Sequence, residues 1–92
     1  MARVTTVFVE IKLLAQADET LDAFEKAVAR VPDVLECHLM AGTADYLLKV
    51  VARDSEDFAR IHRQHLARLP GVAQMQSNFA LKTVFKTTAL PI

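Results

Sequence analysis

The sequence predicts an α+β fold, a four-stranded antiparallel sheet with two helices on one face, in the chain order βαββαβ. Three observations lead there. Six segments separate by hydrophobic period, near two residues for strands and near 3.6 for helices. Glycine and proline fall only where such segments end. A helix exit also repeats at an offset of 38 residues, Ala29-Arg30-Val31-Pro32-Asp33-Val34 returning as Ala67-Arg68-Leu69-Pro70-Gly71-Val72. Phe8-Val9 maps onto Tyr46-Leu47 under the same shift, as two interleaved copies of one right-handed βαβ unit require.

Strand one runs from Val4 to Leu14, where Glu10 and Lys12 alternate with Val9, Ile11 and Leu13. Helix one covers roughly 18–31. Asp18, Glu19 and Thr20 supply caps and an acidic first turn, Leu21, Phe24, Val28 and Val31 recur at helical spacing, and Pro32 stops it. Strand two, Val34 to Met40, sets Leu35, Cys37 and Leu39 against Glu36 and His38. After an interruption at Gly42 the chain returns as strand three, Asp45 to Val51, forming a hairpin. Helix two opens at Asp54-Ser55-Glu56-Asp57, buries Phe58, Ile61, Leu66 and Leu69, and ends at Pro70-Gly71. The last strand covers about Val72 to Phe85. This is the ferredoxin-like, or split βαβ, arrangement. No segment has linker composition, so residues 1–92 are read as one domain.

Composition narrows the function. Eleven basic residues balance eleven acidic ones, which gives the chain no net charge to draw in a polyanion and argues against direct nucleic-acid binding. The start, Met1 to Thr6, lacks the apolar core of a signal peptide, and no apolar run approaches a membrane span. One cysteine, Cys37, cannot form an internal disulfide, which fits a reducing, cytoplasmic setting. A small domain that is 52% hydrophobic leaves apolar surface uncovered, and strand three is apolar on both sides, Tyr46, Leu48 and Val50 facing one way and Leu47 and Val51 the other. A second sheet should cover it, so a homodimer is expected.

Few residues suggest chemistry. His62-x-x-His65 shares a helical face, but no further Cys or carboxylate cluster stands at ligand spacing, so surface histidines are expected and no metal. Cys37 reads as a packed small apolar residue. The acidic residues Asp18, Glu19, Asp22 and Glu25, like Asp54, Glu56 and Asp57, sit at helix starts, where the macrodipole favours them. No nucleophile elbow, phosphate loop or dinucleotide fingerprint is present, so neither catalysis nor a cofactor is expected. What remains is the hairpin, Leu39 to Tyr46. Gly42 can simply supply positive φ and Asp45 simply bond turn amides. Alternatively the hairpin amides receive a ligand carboxylate and Asp45 a ligand ammonium.

The run from Val31 to Leu48 resembles the effector (RAM) domain of the Lrp/AsnC transcriptional regulators, whose pattern is x-P-x-V-x-x-C-x-x-x-x-G-x-x-D-Y/F-x-L. Leu69-Pro70-Gly71-Val72 matches that family's second L-P-G-V, and Thr87-Thr88-Ala89-Leu90-Pro91-Ile92 is similar to its usual ending. The resemblance implies sheet-mediated dimers, rings such as a tetramer of dimers, and a free amino acid bound near the hairpin between dimers. Matched residue by residue, it nominates Gly42, Asp45 and Tyr46 as effector-binding residues, followed by Met40, Ala41, Thr43, Gln76 and Asn78. Many members carry an acidic residue where Thr43 stands and an aromatic where Ala44 stands, a departure that bears on effector preference. Typical full-length members also have an N-terminal helix-turn-helix domain, whereas here Met1 directly precedes strand one; the expectation is a stand-alone effector module or a fragment. Two other functions share the architecture: a small dimeric α+β barrel enzyme, such as a cofactor-free oxygenase or isomerase, and a purely structural assembly module.

Overall fold

The computed structural model describes residues 4–88. Its elements are β1 (Thr5–Leu13), α1 (Asp18–Val28), β2 (Val34–Leu39), β3 (Tyr46–Ala52), α2 (Ser55–Gln64), a 3-10 turn (Leu66–Arg68) and β4 (Val72–Phe79). The strands form one sheet in the order β2-β3-β1-β4, every neighbouring pair antiparallel. The βαββαβ order and the ferredoxin-like arrangement are therefore as expected.

Strand alternation builds the core. Val7, Val9, Ile11 and Leu13 of β1 and Tyr46, Leu48, Val50 and Ala52 of β3 are buried on the helix side. Against them α1 sets Phe24 and Val28, and α2 sets Phe58 and Ile61. Full burial of each such side chain is worth about 1.5–3 kcal/mol. Because β1 and β3 are the two inner strands, their alternate residues meet helix on one side only, and the other side of the sheet carries no helix.

Several boundaries move inward. Helix α1 ends at Val28, and residues 29 and 30 form a turn before Pro32. Its cap residue is Ala17, with no side-chain cap bond, so Asp18 and Glu19 act through the helix dipole and not as caps. Helix α2 ends at Gln64, and the buried Leu66 reaches the core from the 3-10 turn. Strand β4 stops at Phe79, short of Phe85: Ala80 N–H still donates to Thr6 O (2.9 Å), but no strand pairing continues past Phe79 although β1 begins at Thr5. Of the family-like ending Thr87 to Ile92, residues Ala89 to Ile92 lie outside the described residues, as do Met1 to Arg3.

The outer face of the sheet is less apolar than strand three alone suggested. Leu47 and Val51 do point there, half-buried, beside Phe8, but the register places Glu10, Lys12, Glu36, His38, Lys49, Gln74, Gln76 and Asn78 on the same side. The internal repeat is also out of phase in the strands. The offset that aligns the helix exits pairs Val9, which is fully buried, with Leu47, which faces outward. A shift of one residue along a strand reverses every side chain.

Candidate functional site

The hairpin between β2 and β3 spans residues 40–45 and is closed by Met40 N–H donating to Asp45 O (2.9 Å). Gly42 has φ +145°, and a side chain added there would meet nothing within 4 Å. Ala41, Gly42 and Thr43 are exposed, and Met40 is 41% exposed. The tip is thus shaped by backbone conformation, with no packing of its own.

Its root is tied down by Asp45. The Asp45 amide donates to Ile11 O (2.8 Å), while its carboxylate accepts from Leu13 N–H (2.7 Å) and from Gln16 Nε2 (3.2 and 3.3 Å). The Leu13 amide, first among these, and then Gln16 and the nearby Lys12 hold the Asp45 carboxyl below the usual carboxylate range. Asp45 is therefore a clip between the hairpin and the end of β1.

From this root the tip turns over the outer face of the sheet and walls a cavity of about 580 Å³. The floor is Glu10 and Lys12 of β1 with Gln74 and Gln76 of β4, and Thr43 and Ala44 form the overhang. Lys12 Nζ donates to Thr43 O (3.2 Å), bracing the tip. Asn78 Nδ2 donates to Glu10 Oε2 (3.1 Å) and to Phe8 O (3.3 Å), and Gln76 Nε2 donates to Asn78 Oδ1 (3.3 Å). Among the described residues neither Glu10 nor Lys12 belongs to an ion pair. One open cavity thus offers one anionic and one cationic group, each hydrogen-bonded to neutral partners, with Asp45 near Lys12.

Of the residues nominated from sequence, Thr43 and Gln76 line this cavity. Asn78 orients Glu10 from beside it, and Asp45 and Gly42 set the hairpin. Met40 and Ala41 are not among its lining residues. Tyr46 points the opposite way. It is 1% exposed, its ring stacks on Phe24 at 4.6 Å, and its hydroxyl donates to the Glu25 carboxylate. Burial, and secondarily Glu25, push its ionisation far above the usual tyrosine range. Tyr46 is a core residue on the helix side. Glu10, Lys12 and Gln74 were not nominated, although period-two alternation already set Glu10 and Lys12 on one face.

The other candidates are structural. His62 lies on α2 beside Phe58 with rings 6.3 Å apart, His65 is the residue that ends the helix, and no group of three metal-ligating side chains occurs among the described residues. Asp54 caps α2 by accepting from Asp57 N–H (2.8 Å). Asp57 is buried rather than solvated, and accepts from Arg53 N–H (2.9 Å) and Arg60 Nε (3.0 Å). The Arg53 amide and then Arg60 hold its carboxyl down at about 2.

A second cavity, about 550 Å³, opens on the helix side between α1 and the edge strand β2, lined by Glu25, Val28, Ala29, Leu35, Cys37, Leu39 and Tyr46. Cys37 is exposed at this groove and not packed as expected, because β2 is an edge strand; partial desolvation, and then Glu25, still raise its thiol above the usual range, opposite to an activated nucleophile.

The model of the Lrp/AsnC ligand binding domain matches residues 6–90. The chain belongs to the Lrp/AsnC family. An HTH-type transcriptional regulator of Sinorhizobium fredii is 42% identical over 78 residues, covering 85% of this chain and 61% of that protein. The structure of an AsnC family transcriptional regulator from Agrobacterium tumefaciens superposes with a TM-score of 0.85 at 32% identity, over 98% of this chain and 58% of that one. The L-Met complex of a transcriptional regulator from Neisseria meningitidis gives 0.83 at 31% identity, over 95% and 56%. This Lrp/AsnC chain therefore spans about three-fifths of the length of such relatives. No helix among its described residues is long and apolar enough to cross a membrane.

Proposed function

We propose that this domain is the amino-acid-sensing and oligomerisation module of an Lrp/AsnC-type transcriptional regulator, working in the cytoplasm without enzymatic activity. The observation that carries the reading is the pair of opposite charges, Glu10 and Lys12, on the floor of the hairpin cavity, neither in an ion pair among the described residues. A free amino acid presents the complementary pair. Its α-ammonium meets the Glu10 carboxylate and its α-carboxylate the Lys12 ammonium, each a charge-assisted contact. Asp45, already engaged by Leu13 and Gln16, positions the hairpin rather than receiving the ammonium. The L-Met complex of the Neisseria relative supports an amino acid as the ligand class. The cavity is open on one side, so a neighbouring copy is the natural remaining wall, in keeping with a homodimer and a ring such as a tetramer of dimers. The formal net charge of zero supports a role for these residues apart from DNA contact.

Thermal-shift screening of the twenty amino acids followed by calorimetry tests this. A ligand at 100 times its dissociation constant adds about 2.7 kcal/mol of stability. Lys12→Met and Glu10→Gln should each weaken binding about ten- to a hundredfold. The reading fails if no amino acid binds, or if both variants bind like the parent.

A further inference from the structure

We propose that Gln74 and Gln76 form the side-chain subsite of the hairpin cavity and select an amino acid whose side chain ends in a carboxamide. Selection of this kind rests on the amino-acid reading above: Glu10 and Lys12 hold the α-groups, and β4 then reads the side chain. Ile11 is fully buried on the helix side, and Met75, its partner on β4, packs against the same core, so both turn only backbone to the cavity. Phe8, Leu47 and Val51, the apolar residues of the outer face, do not line it. A ligand therefore meets the side chains of Glu10, Lys12, Thr43, Ala44, Gln74 and Gln76, one alanine among five polar residues. A branched apolar side chain here gains little apolar contact and takes water from polar groups whose hydrogen bonds it cannot replace.

The register sets the four floor residues at the corners of a rectangle. Across β1 and β4, Glu10 stands opposite Gln76 and Lys12 opposite Gln74, with about 4.8 Å between strands and about 7 Å between alternate residues of one strand. An amino acid whose ammonium lies on Glu10 and whose carboxylate lies on Lys12 is therefore laid along β1. On its β3 side the hairpin tip closes down, and the bond from Lys12 Nζ to Thr43 O (3.2 Å) fills the gap. The open side is β4. The Gln74 carboxamide has no hydrogen-bond partner among the described residues, and Gln76, which donates to Asn78 Oδ1 (3.3 Å), keeps its Oε1 uncommitted. The two glutamines thus present donors and acceptors one strand spacing from the ligand backbone. A ligand carboxamide serves both kinds of group, its N–H donating to one oxygen while its own oxygen accepts an N–H. A side-chain carboxylate has no donor for Gln76 Oε1 and is repelled by Glu10, and a side-chain ammonium is repelled by Lys12. Serine and threonine hydroxyls stop short of β4, whereas a glutamine side chain spans the distance.

Calorimetric titration of the full chain with L-glutamine, L-methionine and L-glutamate tests this, since the three side chains are of similar length and differ in polarity and charge. L-Glutamine should bind more tightly than either of the others, by about tenfold or more. Gln74→Leu, at an exposed strand position that leaves Glu10 and Lys12 in place, should weaken L-glutamine about tenfold and leave L-methionine unchanged or tighter, and Gln76→Leu should do the same. The change in preference is a readout that misfolding cannot imitate, because a damaged fold weakens both ligands alike. L-Methionine, L-leucine or L-glutamate binding the parent as tightly as L-glutamine, or variants that both keep the parent's preference, would overturn the proposal and leave amino-acid sensing standing. Binding of no amino acid at all would overturn both.

Discussion

Replacing Tyr46 by phenylalanine separates a core residue from a ligand-binding one. The ring is 1% exposed and stacked on Phe24, and only the hydroxyl reaches out, to Glu25. Tyr46→Phe keeps the ring and removes that hydrogen bond. A bond to a charged acceptor contributes about 1.5–3 kcal/mol. Glu25 is exposed, however, so its carboxylate passes to water and no buried acceptor is stranded. The expected cost therefore falls at or just below the lower limit of that range, about 1–1.5 kcal/mol, or a drop in Tm of roughly 4–12 °C for a domain of this size. Tyr46→Ala also removes the ring and should cost about 3–5 kcal/mol. Calorimetric or fluorescence melting measures both, and amino-acid titration of the folded Phe variant should match the parent. A Tyr46→Phe chain with unchanged Tm and reduced affinity for an amino acid would refute this assignment and return Tyr46 to the site.

Gly42→Ala meets no steric obstacle but must hold φ at +145°, so it should destabilise by more than about 1 kcal/mol and distort the tip, seen as lowered Tm and weaker amino-acid binding. Asp57 makes stability depend on acid: its folded pKa of about 2 lies below an unfolded value near 4, so its contribution is complete above that unfolded value and is lost as pH falls through the folded one. Asp57→Asn should flatten this part of the stability curve between about pH 4 and 2, and an unchanged acid profile would show that the Arg53 and Arg60 contacts do not hold the carboxylate in solution.

Much of the architecture was legible because strand and helix periods differ and because Pro32, Gly42 and Pro70-Gly71 mark the turns. Boundaries were less so. Val84 and Phe85 look like strand residues, but whether β4 continues depends on whether the chain stays alongside β1, a tertiary fact. The hairpin was legible as a candidate site through Gly42 and Asp45, yet the charges on the cavity floor belong to β1, thirty residues away in sequence and facing the hairpin only once β1 and β3 are paired. Tyr46 misled for a related reason. It adjoins Asp45 in the chain, but entry into β3 turns its side chain to the core.

Strand β1 builds the core with one face and the cavity floor with the other, while the tip above it, Ala41 to Thr43, is exposed and bears little packing load. Mutational tolerance is accordingly divided. Changes at Thr43 can alter what fits beneath the overhang at little cost to folding, whereas changes in β1 are constrained by the core. On the proposed reading, a gene carrying this domain can explore new effectors through the tip while the folded platform stays intact, so diversification of the signal need not wait for diversification of the fold.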